Sequence, residues 1–228
     1  MSIRSIFPLV VLATFPACSD PRNTSPADST TAEATVRLAN ATDAALDLRQ
    51  GSSVVDGGSN LSFGGTTPCT KVTASAPALT VTNAGKTSNL AGFDPSLDAG
   101  RSYTLVAFPG GGSATSFAFL LDAFRPSGSA AGFRVLNANS EGTFDSYVTT
   151  PGAALTTPTT SRTEAGTASA LVAVPAGTRQ IRITPVGSHT VLIDAGSNRL
   201  NAGTNNTLVI APPASGKTAL RAFLVTAC

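Results

Sequence analysis

Tryptophan is absent from the 228 residues, and histidine and methionine occur once each. Each scarcity removes a class of chemistry. With His189 as the only imidazole, the histidine-based ligand sets that zinc prefers are unavailable. His189 would also be the only base for a serine or cysteine nucleophile, and no G-x-S-x-G turn occurs. Two tyrosines, Tyr103 and Tyr147, are the only aromatics besides phenylalanine, so the ring platforms that stack on sugars are few. Charge is scarce as well, with 12% charged residues and a net charge of +2. The cations stand singly, as at Arg37, Lys71, Lys86, Arg101, Arg134 and Arg199. No basic stripe exists for nucleic acid, which is not expected as a partner. No apolar run reaches the roughly 20 residues of a bilayer span, and no segment holds a helical period for three turns.

What is present begins at the N-terminus. "MSIRSIFPLVVLATFPACSD" carries one cation, Arg4, then an apolar run from Ile6 to Ala13, then small residues before Cys18. That is the layout of a secretory signal over residues 1–17. "TFPAC" resembles a bacterial lipobox, with Ala17 before a lipid-accepting Cys18, although Phe15 stands where leucine is usual. An ordinary secreted protein would share the layout. The polar stretch after Cys18 has no apolar periodicity and is expected to be a flexible tether over residues 18–33. Lipid chains on Cys18 would anchor the protein to a membrane without a spanning helix. Ser19, rather than aspartate, matches outer-membrane retention.

Export places the remaining cysteines in an oxidising compartment. With Cys18 lipidated, Cys69 and Cys228 are left, and two such cysteines are expected to form one disulfide. Separate reduced thiols are the alternative.

The rest of the chain is a repeat. "VRLANA" at Val36–Ala41 returns as "FRVLNA" at Phe133–Ala138, 97 residues later. "LTVTNAG" at Leu79–Gly85 returns as "IRITPVG" at Ile181–Gly187, a separation of 102. "LDAGRSYTLVA" at Leu97–Ala107 returns as "LNAGTNNTLVI" at Leu200–Ile210, a separation of 103. "AFLLDAF" at Ala118–Phe124 matches "AFLVTAC" at Ala222–Cys228 at 104, which sets Cys228 opposite Phe124. Apolar and polar residues alternate within these segments, and Gly, Pro, Asn and Asp clusters interrupt them every ten or so residues. About seven short strands per copy predict an all-β chain of two tandem immunoglobulin-like antiparallel β-sandwich domains, at 34–125 and 131–228. The segment "RPSGSAA" at Arg125–Ala131 reads as a hinge between them.

These segments, with "VPAG" at Val174–Gly177, resemble a family of tandem β-sandwich repeats in exported bacterial proteins. That family is known only as a domain of unknown function, number forty-three ninety-seven. Asn40 and Asn137 stand where its pattern often has histidine. The resemblance implies an exported location and this architecture, and carries no activity.

Few residues suggest chemistry. "APPASGKT" at Ala211–Thr218 ends like a phosphate-binding loop but lacks the opening glycine, and Pro212 and Pro213 remove amide donors. A turn is expected there, and no nucleotide. His189 is expected in an exposed turn. Asp43 and Asp47 recur loosely as Glu141 and Asp145; they are expected as a turn cap and an outward strand residue, with a calcium site or acid–base pair as the alternative. Asp94 and Asp98 read as turn residues. The expected function is that of a lipid-anchored cell-envelope protein with a structural, adhesive or partner-binding role. No catalytic residue, metal or cofactor is expected. Partners would be the membrane and another envelope protein or a glycan. A carboxylate-based hydrolase or a carbohydrate-binding module is the alternative.

Overall fold

A computed structural model describes residues 32–74, 79–90, 93–112 and 114–228. The signal segment, Cys18 and the tether up to residue 31 lie outside the described residues. Among the described residues there are fifteen strands and no helix. The first copy holds β1 (Glu33–Asn40), β2 (Leu46–Gln50), β3 (Ser53–Val54), β4 (Thr70–Thr73), β5 (Leu79–Asn83), β6 (Ser102–Pro109) and β7 (Thr115–Leu121). The second holds β8 (Ala130–Asn137), β9 (Phe144–Thr149), β10 (Thr160–Thr163), β11 (Val172–Pro175), β12 (Gly177–Pro185), β13 (Ile193–Leu200), β14 (Asn205–Ala211) and β15 (Arg221–Thr226).

Both copies fold as immunoglobulin-like β-sandwiches with one strand order, to which the second adds β13 at the edge of its outer sheet. The first pairs a β4-β1-β6-β7 sheet with a β3-β2-β5 sheet; the second pairs β11-β8-β14-β15 with β10-β9-β12-β13. All neighbours are antiparallel except β1 with β6 and β8 with β14, where each copy's first strand lies parallel to its next-to-last. The strand order explains the one long-range parallel pair per copy: the chain crosses to the other sheet and returns before β6 or β14 forms.

Three apolar cores separate four sheet layers. Val36, Leu38, Leu105 and Ala107 meet Leu46, Leu48, Leu79 and Val81 in the first. Phe133, Val135, Leu208 and Ile210 meet Phe144, Ile181 and Ile183 in the second. The third lies between the copies, where Ala39, Ala41, Val106 and Phe108 meet Leu136, Ala138, Val209, Ala211 and Val225. The β4-β1-β6-β7 and β11-β8-β14-β15 sheets are therefore inner layers, covered on both faces. β6 and β14 are buried along their lengths because alternate residues serve different cores: Leu105 and Ala107 face inward, Val106 and Phe108 face the seam. Alanines supply four of the nine buried residues of this seam, and valine, leucine and phenylalanine supply the rest. At roughly 1.5–3 kcal/mol for each large side chain buried, such a seam is a core and not a hinge contact.

The expected hinge is therefore corrected. Residues 122–124 lie against the second copy, and Asn205 Nδ2 donates to the carbonyls of Asp122 (3.3 Å) and Phe124 (2.9 Å). Gly132 makes room for this, since a Cβ there would stand 3.0 Å from the Phe124 ring and run into the Asn205 side chain.

The last match of the repeat is also corrected. Val36 pairs with Tyr103 and Phe133 with Asn206, so Tyr103 and Asn206 are equivalent. Tyr103 faces Leu121, whereas Asn206 faces Thr226, which makes Leu121 and Thr226 equivalent at a separation of 105. The textual match at 104 is one residue out of register and would turn every side chain to the opposite face. In the correct register Ala118 and Phe223 both face the seam. Cys228 then corresponds to Ala123, and Ala227 to Asp122.

Candidate functional site

The chemistry of the described residues collects along the seam. Arginines at the second position of the repeated hexamer, Arg37 on β1 and Arg134 on β8, sit on the inner strands. Arg134 is 4% exposed and fully engaged. Its Nε donates to Thr207 Oγ1 (2.8 Å), Nη1 to the Leu121 carbonyl (3.0 Å), and Nη2 pairs with Asp122, which is 2% exposed. Thr104 Oγ1 donates to the other carboxylate oxygen of Asp122 (2.8 Å). Burial pushes the Asp122 carboxyl above its ordinary range, partly offset by Arg134, Thr104 and Arg37. Burial also lowers Arg134, against the pull of Asp122.

Arg37 makes the reciprocal crossing and donates to the Thr226 carbonyl at the end of β15. The position equivalent to Asp122 is Ala227, so no carboxylate meets Arg37 there. Its Nη2 donates instead to Cys69 Sγ at 3.3 Å, and its buried Nε finds no acceptor among the described residues. Cys69 is bonded to Cys228, with Cα atoms 5.7 Å apart and a sequence separation of 159. Closing a loop of that length contributes about 4–5 kcal/mol in the chain-entropy account. The bond ties β15 of the second copy to the segment before β4 of the first.

The two ends of the seam differ. At one, Arg221 lies over the Phe63 ring (3.7 Å to the centroid), pairs with Asp43 (2.8 Å) and donates Nε to the Pro212 carbonyl (2.9 Å). Phe223 packs edge-on to Phe63 at 5.3 Å. The equivalent residues at the other end are Ser116 for Arg221, Ala165 for Phe63 and Pro109 for Pro212; Asp43, matched in sequence to Glu141, lies opposite Ser140 and Glu141 together because this loop is one residue longer in the second copy. A cavity of about 200 Å³ opens there, lined by Phe108, Pro109, Ser116, Asn139, Ser140 and Ala165 among others. Small side chains stand here where the other end carries its plug.

The carboxylates singled out in the sequence are not brought together as a pair. Asp43 belongs to the plug. Asp47, expected on an outward strand face, is 4% exposed; its oxygens accept the amides of Asn60 (2.7 Å) and Gly85 (2.9 Å). Asp145 does the same for Arg162 (2.9 Å) and Gly187 (2.8 Å). Asn60 and Arg162 are the two non-glycine residues with positive φ among those described, at 50° and 52°. Each carboxylate is thus a clasp that holds a left-handed residue and a hairpin glycine. Glu141 offers only its backbone carbonyl, to Asn139 Nδ2 (2.6 Å). Asn40 and Asn137 are fully buried and tie their own loops: Asn40 Nδ2 donates to the Ala44 and Leu61 carbonyls, Asn137 Nδ2 to those of Gly142 and Thr163.

His189 is exposed between β12 and β13, edge-on to Tyr147 at 6.1 Å. Tyr103 and Tyr147 are both buried, and the Tyr103 hydroxyl bonds Asp98 (3.2 Å), so neither presents a ring to a sugar. Asp94 lies in the irregular segment between β5 and β6. "APPASGKT" is the turn from β14 to β15, closed by Lys217 N on the Ala214 carbonyl (2.9 Å). Among the described residues no three or more His, Cys, Asp or Glu side chains gather in a metal-binding group. Asp122, Arg134 and Arg221 were not legible as site residues. The available signal was an arginine in the same place of two hexamers that are apolar but for it and one asparagine.

No protein-family model matches the chain, and no curated protein matches it.

Proposed function

We propose that the protein is a lipid-anchored component of a bacterial envelope, attached through Cys18, whose double sandwich serves a structural or partner-binding role without catalysis of its own. In this reading it is an exported member of the tandem-repeat family that its hexamers resemble, retained at the outer membrane. The observation that carries the reading is the Cys69–Cys228 bond, because disulfides persist in oxidising compartments outside the cytoplasm. The signal-like N-terminus and polar tether point the same way. The third core supports a spacer-like role, since two sandwiches fused along a sheet face present one stiff body to a partner. The engagement of Asp47, Asp145 and Asp122 with backbone amides or arginine supports a structural over a hydrolytic use of these carboxylates.

The test is metabolic labelling with radioactive palmitate in a bacterial host, followed by membrane fractionation. Label on the wild-type chain, lost in Cys18→Ala together with membrane association, is the expected result. An unlabelled wild-type chain released to the soluble fraction would sink the anchor.

A further inference from the structure

We infer that the Cys69–Cys228 bond is a directional thiol–disulfide exchange site, opened by a dithiol reductant that attacks Cys228 and expels Cys69. The inference does not depend on lipid attachment. Both cysteines are exposed, so an external thiolate reaches either sulfur. Their surroundings differ. Arg37 Nη2 donates to Cys69 Sγ at 3.3 Å, a hydrogen bond that strengthens as the sulfur gains negative charge. Its guanidinium is held in place by the Thr226 carbonyl and feels the buried Asp122 charge, but no carboxylate of the described residues contacts it. The nearest cation in sequence, Lys71, is paired with Glu33 at 3.2 Å. On the other side, Cys228 borders a cavity of about 90 Å³ that it shares with Asp122, Arg125 and Asn205. Arg125 Nη1 is turned to the Asp122 carbonyl (3.0 Å), and none of its hydrogen bonds reaches a sulfur.

A thiolate adjacent to an arginine is the better leaving group, and exchange proceeds faster when the leaving thiol has the lower pKa. The first step forms a bond between the reductant sulfur and Cys228 Sγ. The Cys228–Cys69 bond breaks, and its electron pair leaves on Cys69 Sγ against Arg37. The reductant's second thiol, after losing its proton to water, then attacks its own sulfur in the mixed disulfide. Cys228 departs as a thiolate and takes up a proton. Two electrons pass to the protein, and the dithiol becomes a disulfide. The product has lost the covalent tie between the end of β15 and the first sandwich, while the seam core remains.

Treating the oxidised full chain with reduced glutathione, quenching with an alkylating agent and mapping the peptides tests the direction. Glutathione on Cys228 with alkylated Cys69 is expected; glutathione predominantly on Cys69, or divided equally, overturns the inference. Arg37→Gln should slow reduction by dithiothreitol by roughly three-fold or more and erase the preference, and Arg37→Lys should keep part of both. If Arg37→Gln fails to fold, single-cysteine chains give the answer. In Cys228→Ser the alkylation rate of Cys69 should rise at a lower pH than the same rate for Cys228 in Cys69→Ser, because Arg37 stabilises the Cys69 thiolate. In Cys69→Ser, the midpoint of Cys228 should lie above the one measured for Cys69. A Cys69 midpoint at or above that of Cys228 ends the idea.

Discussion

In the first sandwich a buried aspartate, Asp47, holds Asn60 and Gly85; in the second, Asp145 holds Arg162 and Gly187, at nearly the same four distances. Along the seam the same two copies part ways. Arg134 crosses to a buried carboxylate at Asp122, while Arg37 crosses to a carbonyl alone, Ala227 standing in place of the acid, and donates within its own copy to the Cys69 sulfur. One end of the seam is plugged by Arg221 and Phe63, and the other is open. What lies inside each sandwich is shared because each must solve the same folding problem. What lies between them is solved once for the pair, so the two contributions are free to diverge.

The largest effect should come from the asymmetric arginines. Asp122→Ala leaves Arg134 buried without its counter-charge and is expected to cost about 3–5 kcal/mol. Arg37→Ala, at the equivalent place, should cost about 1 kcal/mol or less, since Arg37 has no carboxylate to orphan. Urea midpoints measured with the disulfide intact decide this, and equal losses would break the comparison. The ion pair also has a pH signature. Because burial raises Asp122 in the folded chain, the folded state keeps this proton to higher pH than the unfolded state does. Its contribution is full below the ordinary aspartate value, falls as pH rises through the raised one, and is flat above it. The stability of the wild type relative to Asp122→Asn should therefore decline across that acid window as pH rises.

Next come the clasps, where the comparison predicts equality. Asp47→Ala and Asp145→Ala each strip two amides of their acceptor, and each should cost about 2–3 kcal/mol by the same unfolding measurement. A loss at one site only would show that the two copies share geometry without sharing energetics.

The all-β class and the tandem plan were legible because alternation and turn residues recur in the same order twice. The layer arrangement was not. Val106 and Leu105 look alike in sequence, yet one faces the seam and the other its own core. The β7 and β15 match misled for a related reason. Ala118-Phe119-Leu120 and Ala222-Phe223-Leu224 align letter for letter, but cross-strand pairing shifts them by one, and alternating faces make such a shift invisible when every residue is apolar. Asp47 was misplaced because a carboxylate in a strand is usually outward; only the folded hairpins show two amides converging on it. The disulfide was legible by counting. Its arginine neighbour was not, since Arg37 and Cys69 meet only through the β1–β4 pairing.

A smaller effect separates the two ends of the seam. Arg221→Ala removes the cation over Phe63 and a half-exposed ion pair, and should cost about 1–2 kcal/mol. Rebuilding the plug at the open end with Ser116→Arg, Ala165→Phe and Ser140→Asp should raise the urea midpoint by the equivalent of about 1 kcal/mol or less. The solved structure of that triple variant should show the cavity beside Phe108 closed. A cavity that stays open, or a chain that loses stability, would mean that the ends differ in backbone and not only in side chains.

The smallest expected change concerns the left-handed residues inside the clasps. Asn60 and Arg162 share a φ near 50°, but asparagine tolerates that region and arginine does not. Asp145 therefore holds a more strained residue than Asp47 does. Arg162→Asn, which gives the second clasp the residue of the first, should raise stability by about 0.5–1 kcal/mol, and Asn60→Arg should lower it by a similar amount. Because the Arg162 amide, not its side chain, meets Asp145, the substitution leaves the 2.9 Å contact in place. The gain should accordingly survive unchanged in high salt, where a side-chain charge effect would fade. If Arg162→Asn is neutral, the arginine side chain must contribute packing that offsets its backbone strain, and the two clasps are alike in geometry only.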